Sequence, residues 1–109
     1  MSTEDIRFEY IENFGCVEDD LLRALERETA LTQIHPKMLS GCYQGHLLAM
    51  LIKMSKAKRV LEIGTYAGYS AICMARALPA DGQLVTIEIN DEIEWLSSKY
   101  FAKAGLQDR

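Results

Sequence analysis

Two carboxylates and two glycines near the middle of the chain have the spacing of a nucleoside-binding site. Glu62 and Gly64 end a short apolar run, Gly68 follows, and Glu88 lies 24 residues after Gly64 at the end of a second run. A carboxylate in that place can accept both hydroxyl protons of a ribose. Glu62 would repel a phosphate but could face a cationic, amino-acid-like group. The two carboxylates together indicate a sulfonium nucleoside that carries an amino acid.

The glycine spacing argues against a dinucleotide. The loop has the pattern G-x-x-x-G, whereas G-x-G-x-x-G is the pattern that seats a pyrophosphate on a helix N-terminus. A nicotinamide-dependent oxidoreductase would use the same strand, loop and helix and the same ribose carboxylate, so it is the alternative enzyme class. In a plainer interpretation Glu88 is a solvated strand-end carboxylate, and Gly64 and Gly68 serve only a tight turn.

Strand and helix patterns alternate around this loop. The β-branched runs over 59–63 and 84–89 predict two strands. A helix is predicted between them by apolar residues at helical spacing, which are Ala71, Met74, Ala75 and Leu78. Two strands joined through a helix form a parallel pair with a right-handed crossover. We therefore predict an α/β, Rossmann-like fold with the loop at the carboxyl ends of its strands.

Three helices are predicted upstream of the first strand. One covers 6–13, and the next runs from the acidic residues 18–20 to Gln33, with Asp19 paired to Arg23 at i, i+4. Ser40 is the expected N-cap of the third. Its apolar stripe at i, i+3, i+4, i+7 consists of Leu47, Met50, Leu51 and Met54. We divide the chain into an N-terminal helical segment, 1–58, and the first two βα units, 59–109.

A last helix is predicted after the second strand. Asn90 and Asp91 should cap it, Gly105 should end it, and its buried stripe should be Ile93, Leu96 and Tyr100. Parallel sheets are covered on both faces and are seldom built from two strands. We therefore expect a fold that is truncated after the second βα unit, or one that completes its core by association.

The amino-acid composition argues against several classes of function. The 109 residues are 49% hydrophobic and 26% charged with a formal net charge of −4, which is typical of one globular domain. The lysines near residues 53–59 lie where a helix should end and offset its dipole, so nucleic acid is not an expected partner. An acidic N-terminus and the lack of a long apolar run predict a cytoplasmic protein without a membrane partner. Three cysteines without a C-x-x-C pair predict neither a disulfide framework nor a zinc knuckle.

Two segments resemble the first two motifs of the cation-dependent O-methyltransferases. They are VLEIGTYAGYSA at 60–71 and LVTIEIN at 84–90, and HPKMLSG at 35–41 with Gln44 and Gly45 resembles the family's lead-in. The family includes catechol and caffeoyl-CoA O-methyltransferases. The resemblance implies a class I methyltransferase fold, S-adenosyl-L-methionine as cofactor, and methyl transfer to a hydroxyl of a small, catechol-like aromatic acceptor.

By position, the resemblance also assigns residues to the methyl donor. It implies that Glu62 and Gly64 line the methionine side of the donor. It implies that Tyr66 packs against the donor and that Ser70 hydrogen-bonds its carboxylate end. Glu88 would hold the ribose.

Two upstream residues belong to the same implied site. Met38 would flank the donor and the metal pocket, with Ser40 close by. For this pair, loop packing and a helix cap are the alternative interpretations.

In the family a metal-bound phenolate attacks the sulfonium methyl group, which implies Mg²⁺ or a similar divalent cation. The family's metal ligands and catalytic base lie beyond the second strand, so we assign no catalytic and no metal-binding residue here. His35 and His46 are interpreted as a loop residue and a helix-surface residue. Family members are commonly dimers, so a homodimer or higher association is expected. The non-enzymatic alternative is a fragment that associates through an unpaired sheet edge.

Overall fold

The computed structural model describes residues 6–7, 19–34 and 38–107. The elements in chain order are α1 (Asp20–Thr32), α2 (Gly41–Ser55), β1 (Arg59–Ile63), α3 (Tyr69–Ala77), β2 (Gln83–Ile87) and α4 (Glu94–Lys103). A 3-10 turn, Asp91–Ile93, leads into α4. The predicted order of elements is confirmed. Of the helix predicted over 6–13, Ile6 and Arg7 are helical and the rest lies outside the described residues.

The two strands pair in parallel, as the sequence predicts. Arg59 lies opposite Gln83, and the register continues to Ile63 opposite Ile87. β2 ends at Ile87, two residues before the predicted end, so that Glu88 is the first residue beyond the strand. Because parallel strands end at the same edge of a sheet, the β1–α3 loop and Glu88 lie side by side.

The core lies between the helices and one face of this sheet. α3 is its centre, since every residue from Tyr69 to Ala75 is buried. One buried cluster consists of Leu22, Leu25, Ala67, Tyr69, Ile72, Cys73, Ile93, Leu96 and Tyr100. A second consists of Ile52, Met74 and Leu78, against which Val60 and Leu84 of the two strands pack. The predicted buried residues of α3 and α4 are therefore confirmed.

The apolar stripe predicted on α2 is not the buried face of that helix. Leu47, Met50, Leu51 and Met54 are 43, 51, 52 and 72% exposed. The helix turns Gly45 and Ile52 inward instead. A Cβ at Gly45 would lie 2.6 Å from the Sγ atom of Cys73. The small residue lets α2 approach α3 closely, and this contact sets the orientation of the helix.

Two local expectations are wrong. Asp19 caps α1 by accepting the N–H of Leu22 at 2.9 Å, but its ion pair is with Arg76 of α3 at 2.5 Å and not with Arg23. Cys42 is disulfide-bonded, which the cysteine pattern did not predict, whereas Cys73 is a buried residue of α3. Within the described ranges, no helix is long and apolar enough to cross a membrane.

Gly68, the N-cap of α3, is expected to be essential for packing. It has a φ of 95°, and a Cβ there would lie 2.7 Å from Cε1 of Phe101 on α4. We expect Gly68→Ala to lower the free energy of unfolding by about 2 to 4 kcal/mol, because backbone strain and a steric clash add. Urea denaturation followed by circular dichroism measures the change.

Gly105→Ala is the matched control for that substitution. Gly105 also has a positive φ, 72°, but no atom lies within 4 Å of a Cβ built there. Gly105→Ala should lower the free energy of unfolding by only about 1 kcal/mol, which is the backbone cost of a positive φ at a residue with a side chain. Equal losses in the two variants would show that the contact with Phe101 is unimportant.

Candidate functional site

The loop that joins β1 to α3 is fastened to the end of β2. The N–H groups of Gly64 and Thr65 both donate to the carbonyl oxygen of Ile87, at 2.7 and 3.2 Å. The N–H of Gly68 then closes a turn onto the carbonyl oxygen of Thr65 at 3.0 Å. These bonds continue the parallel ladder past Ile63, so the loop has a defined path before α3 begins.

Gly64 makes a sharp backbone turn at the first loop position. Gly64 has a φ of 96°, a conformation that side chains rarely adopt. No atom lies within 4 Å of the place where its Cβ would stand. Tyr66 is also left-handed, with a φ of 50°, which is uncommon for a residue with a side chain. The loop therefore presents bare backbone to an open space.

Both carboxylate oxygens of Glu88 accept backbone N–H groups, one of them from this loop. Oε1 accepts the N–H of Tyr66 at 2.8 Å, and Oε2 accepts the N–H of Asn90 at 3.1 Å. The hydrogen bonds from Asn90 and Tyr66 hold the pKa of Glu88 below its ordinary value. A carboxylate has about four lone-pair sites. Acceptor capacity therefore remains on Glu88 for the hydroxyl groups of a ligand.

Glu62 is held by hydroxyl groups. Its Oε1 atom accepts from the hydroxyl of Thr86 at 2.8 Å, and its Oε2 atom accepts from the hydroxyl of Ser70. The Oγ1 atoms of Thr86 and Thr65 are 2.5 Å apart. Neither threonine is among the residues predicted from the sequence. The parallel register, which places Thr86 opposite Glu62, is the signal that identifies this contact.

A small cavity brings together most of the predicted donor residues. It has a volume of about 20 Å³ and is lined by Met38, Leu39, Ser40, Gly64, Thr65, Tyr66, Tyr69 and Ser70. Five of the seven predicted residues are in this lining. The other two, Glu62 and Glu88, are joined to it by the hydrogen bonds to Ser70 and Tyr66.

A wider cleft of about 290 Å³ lies beside this cavity. Glu88 lines it together with Thr65, Thr86, Asn90, Asp91, Ile93, Glu94, Ser97, Ser98 and Phe101. Thr65 lines both spaces and so marks the boundary between them. Three carboxylates, Glu88, Asp91 and Glu94, line the wider cleft, and Glu62 adjoins the small cavity through Ser70.

The alternative interpretations of the upstream pair find limited support. Ser40 occupies the N-cap position of α2, but its side chain makes no capping hydrogen bond. Met38 is 64% exposed, so it does not act as a packed loop residue in this chain. Both residues line the small cavity.

Metal-binding geometry is absent from the part of the chain that the structure describes. No group of three or more His, Cys, Asp or Glu side chains there could hold an ion. His46 lies on the exposed surface of α2, as predicted, with Nδ1 2.9 Å from the carbonyl oxygen of Cys42. His35 lies outside the described residues.

The sequence matches a known family over most of its length. The family described as O-methyltransferase matches residues 12–109. Catechol O-methyltransferase of Niastella koreensis is 39% identical over 97 residues, which are 89% of this chain and 43% of that protein. Caffeoyl-CoA O-methyltransferase of Medicago sativa is 35% identical over 88 residues, 79% of this chain and 36% of that protein. The chain spans less than half the length of these curated relatives.

Solved structures agree with this match. A methyltransferase of Podospora anserina bound to SAH (S-adenosylhomocysteine) superposes with a TM-score of 0.86 at 29% identity, over 98% of this chain and 46% of that one. An O-methyltransferase of Bacillus cereus in complex with SAH superposes with a TM-score of 0.80 at 29% identity, over 93% of this chain and 46% of that one. The predicted class I methyltransferase fold is confirmed, and the nicotinamide-dependent alternative gains no support.

Glu88 should make stability depend on pH. Its pKa is lowered from an ordinary value of 4.5, so its contribution to folding is present above about pH 4.5 and is lost as the pH falls through the lowered value. We expect Glu88→Gln to be less stable than the wild type at pH 7 and to approach it as the pH falls below the lowered pKa of Glu88. Urea midpoints at several pH values measure the difference.

Glu92→Gln is the control for that pH series. Glu92 is an exposed carboxylate in the same segment, and only its backbone N–H contacts Asn90. Its removal should leave the pH dependence of the wild type in place. A Glu88→Gln curve that runs parallel to the wild type from pH 7 to pH 3 would refute the linkage.

Proposed function

Because this chain belongs to the O-methyltransferase family, we propose that its β1–α3 loop and Glu88 form the methyl-donor half-site of an S-adenosylmethionine-dependent O-methyltransferase. The observation that carries the proposal is the pair of carboxylates, Glu62 and Glu88, held at the ends of adjacent parallel strands on either side of one loop. Relatives solved with SAH have the same fold over this region.

The residues present fit a sulfonium nucleoside with an amino acid group. Glu88 would accept the ribose hydroxyls with the lone pairs that Tyr66 and Asn90 leave unused. Gly64 would admit the ligand close to the backbone, because no Cβ occupies that space. Glu62 would accept the ammonium group.

The remaining members of the proposed site line the small cavity. Tyr66, Met38 and Ser40 surround this space and would contact the donor. In the structure Ser70 donates its one hydroxyl proton to Glu62. It would have to turn away from Glu62 to donate to the donor's carboxylate, the role that the resemblance assigns to it.

The donor supplies a methyl group on a positively charged sulfur. In our proposal this chain binds and orients that group, and the acceptor is a hydroxyl on a small, catechol-like aromatic molecule. The names of the relatives, which include catechol and caffeoyl-CoA O-methyltransferases, support that acceptor class. We assign no catalytic and no metal-binding residue to the described ranges. A divalent cation would take its ligands elsewhere in the complete enzyme.

We further propose that the chain associates with itself, as a homodimer or higher assembly. One face of its sheet is apolar and uncovered. The exposed fractions on that face are 63% for Leu61, 82% for Ile63, 57% for Val85 and 52% for Ile87. Parallel sheets are normally covered on both faces. We also retain as a proposal the division into a helical segment, 1–58, and a donor-binding segment, 59–109.

Isothermal titration calorimetry with SAH and, in parallel, NAD tests the donor site. We expect SAH to bind and NAD not to bind. Glu88→Ala should weaken SAH binding at least tenfold, because two hydrogen bonds to a charged group are lost. Glu92→Ala, which removes an exposed carboxylate nearby, should leave the affinity unchanged. Binding of NAD in place of SAH would overturn the proposed function.

Sedimentation velocity tests the association. We expect the wild-type chain to sediment as a dimer or larger species at micromolar concentration. Leu61→Lys should shift it toward monomer, because a charge on the uncovered sheet face must be desolvated on association. Ala102→Lys adds the same charge to the exposed side of α4 and should not shift it. A wild-type chain that stays monomeric over this range would contradict the proposal.

A further inference from the structure

A chain of hydroxyl groups lies next to the proposed donor loop and ends on Glu62. Thr65 is the second residue of the loop and is only 6% exposed. Its Oγ1 atom is 2.5 Å from Oγ1 of Thr86 on β2, which is 2.8 Å from Oε1 of Glu62 on β1. Ser70, the second residue of α3, bonds the other carboxylate oxygen. Four elements of the site therefore meet at one carboxylate.

The direction of each hydrogen bond follows from counting protons. An ionised carboxylate only accepts, so Thr86 donates its single hydroxyl proton to Glu62. The proton between the two threonines must then come from Thr65. The order of donation is Thr65 to Thr86 to Glu62. Both oxygens of Glu62 are occupied in fixed directions by neutral donors.

The negative charge of Glu62 has no cationic partner in the part of the chain that the structure describes. The ion pairs found there join Lys58 to Asp81, Arg76 to Asp19 and Lys99 to Glu28. Hydroxyl donors orient a carboxylate without neutralising it. The half-buried Glu62 carboxylate thus has hydroxyl donors as its partners, and it lies next to the small cavity.

We propose that Thr86, supported by Thr65, is a positioning residue that fixes the Glu62 carboxylate to accept the ammonium group of the methyl donor. This inference rests on the proposed function and adds a selectivity to it. The half-site would distinguish nucleosides that carry an amino acid group from those that lack one. The register supports the assignment, because Thr86 and Glu62 are direct partners and are half-buried on the same face of the sheet.

The first test needs no ligand. The variant Thr86→Val keeps the shape of the side chain and removes only the hydroxyl, while Thr86→Ser keeps the hydroxyl and removes a methyl group. The carbon-13 resonance of the Glu62 carboxyl, assigned by its loss in Glu62→Gln, should move in Thr86→Val and return toward the wild-type position in Thr86→Ser. An unchanged resonance in a folded Thr86→Val would overturn the proposal.

The second test compares two ligands in calorimetry. SAH carries the amino acid group, and 5′-methylthioadenosine lacks it. Thr86→Val should weaken SAH binding about tenfold and leave 5′-methylthioadenosine binding unchanged, since one hydrogen bond to the charged acceptor is lost. Thr86→Ser should restore SAH binding. Equal weakening of both ligands would show that Thr86 has only a structural role and would sink the inference.

The two tests separate this inference from the proposed function. If the wild type binds SAH but Thr86→Val changes neither the resonance nor the ligand preference, the positioning role fails and the donor site stands. If the wild type binds neither ligand while the resonance responds as expected, the hydroxyl chain is established, but its assignment to a donor ammonium group is refuted along with the donor site.

Discussion

The parallel pairing of β1 with β2 is the constraint on which the proposed site depends. It places the ends of both strands at one edge, and the N–H groups of Gly64 and Thr65 extend its hydrogen bonds onto Ile87. It also places Thr86 opposite Glu62, so that a hydroxyl of one strand bonds the carboxylate of the other. Glu88, the next residue beyond β2, then reaches the loop at Tyr66. A slip of one residue would send Glu62 and Thr86 to opposite faces.

The buried helix α3 keeps this edge in place from the other side of the loop. Because its first seven residues are all buried, the helix has little freedom to shift against its neighbours. Two glycines permit that burial. Gly45 brings α2 against Cys73, and Gly68 leaves room for Phe101 of α4 at the start of the helix. The loop is thus bounded by a strand ladder at one end and a packed helix at the other.

The sequence predicted the features that depend on local pattern. Turn residues and periodicity identified both strands, the helices around them and the turn at Gly64. The features it missed depend on contacts between distant residues. Arg76 is 57 residues from Asp19, and no helix-face rule identifies it as the partner of that carboxylate. The hydrogen bond from the Thr86 hydroxyl to Glu62 depends on the strand register. The residue periodicity within each strand does not specify that register.

The exposed apolar stripe of α2 shows that the sequence pattern of a helix does not always identify its buried face. Leu47 and Met54 have the spacing of a core face, yet the close approach at Gly45 turns a different side of the helix to α3. The exposed stripe and the exposed sheet face, with Ile63 and Val85, are both apolar, so any contact that covers them buries apolar surface. The hydrogen bonds that hold the β1–α3 loop lie within residues 62–90 and use the side chains of neither surface. The hydrogen bonding of this loop and the covering of the two apolar surfaces are therefore separable properties of this chain.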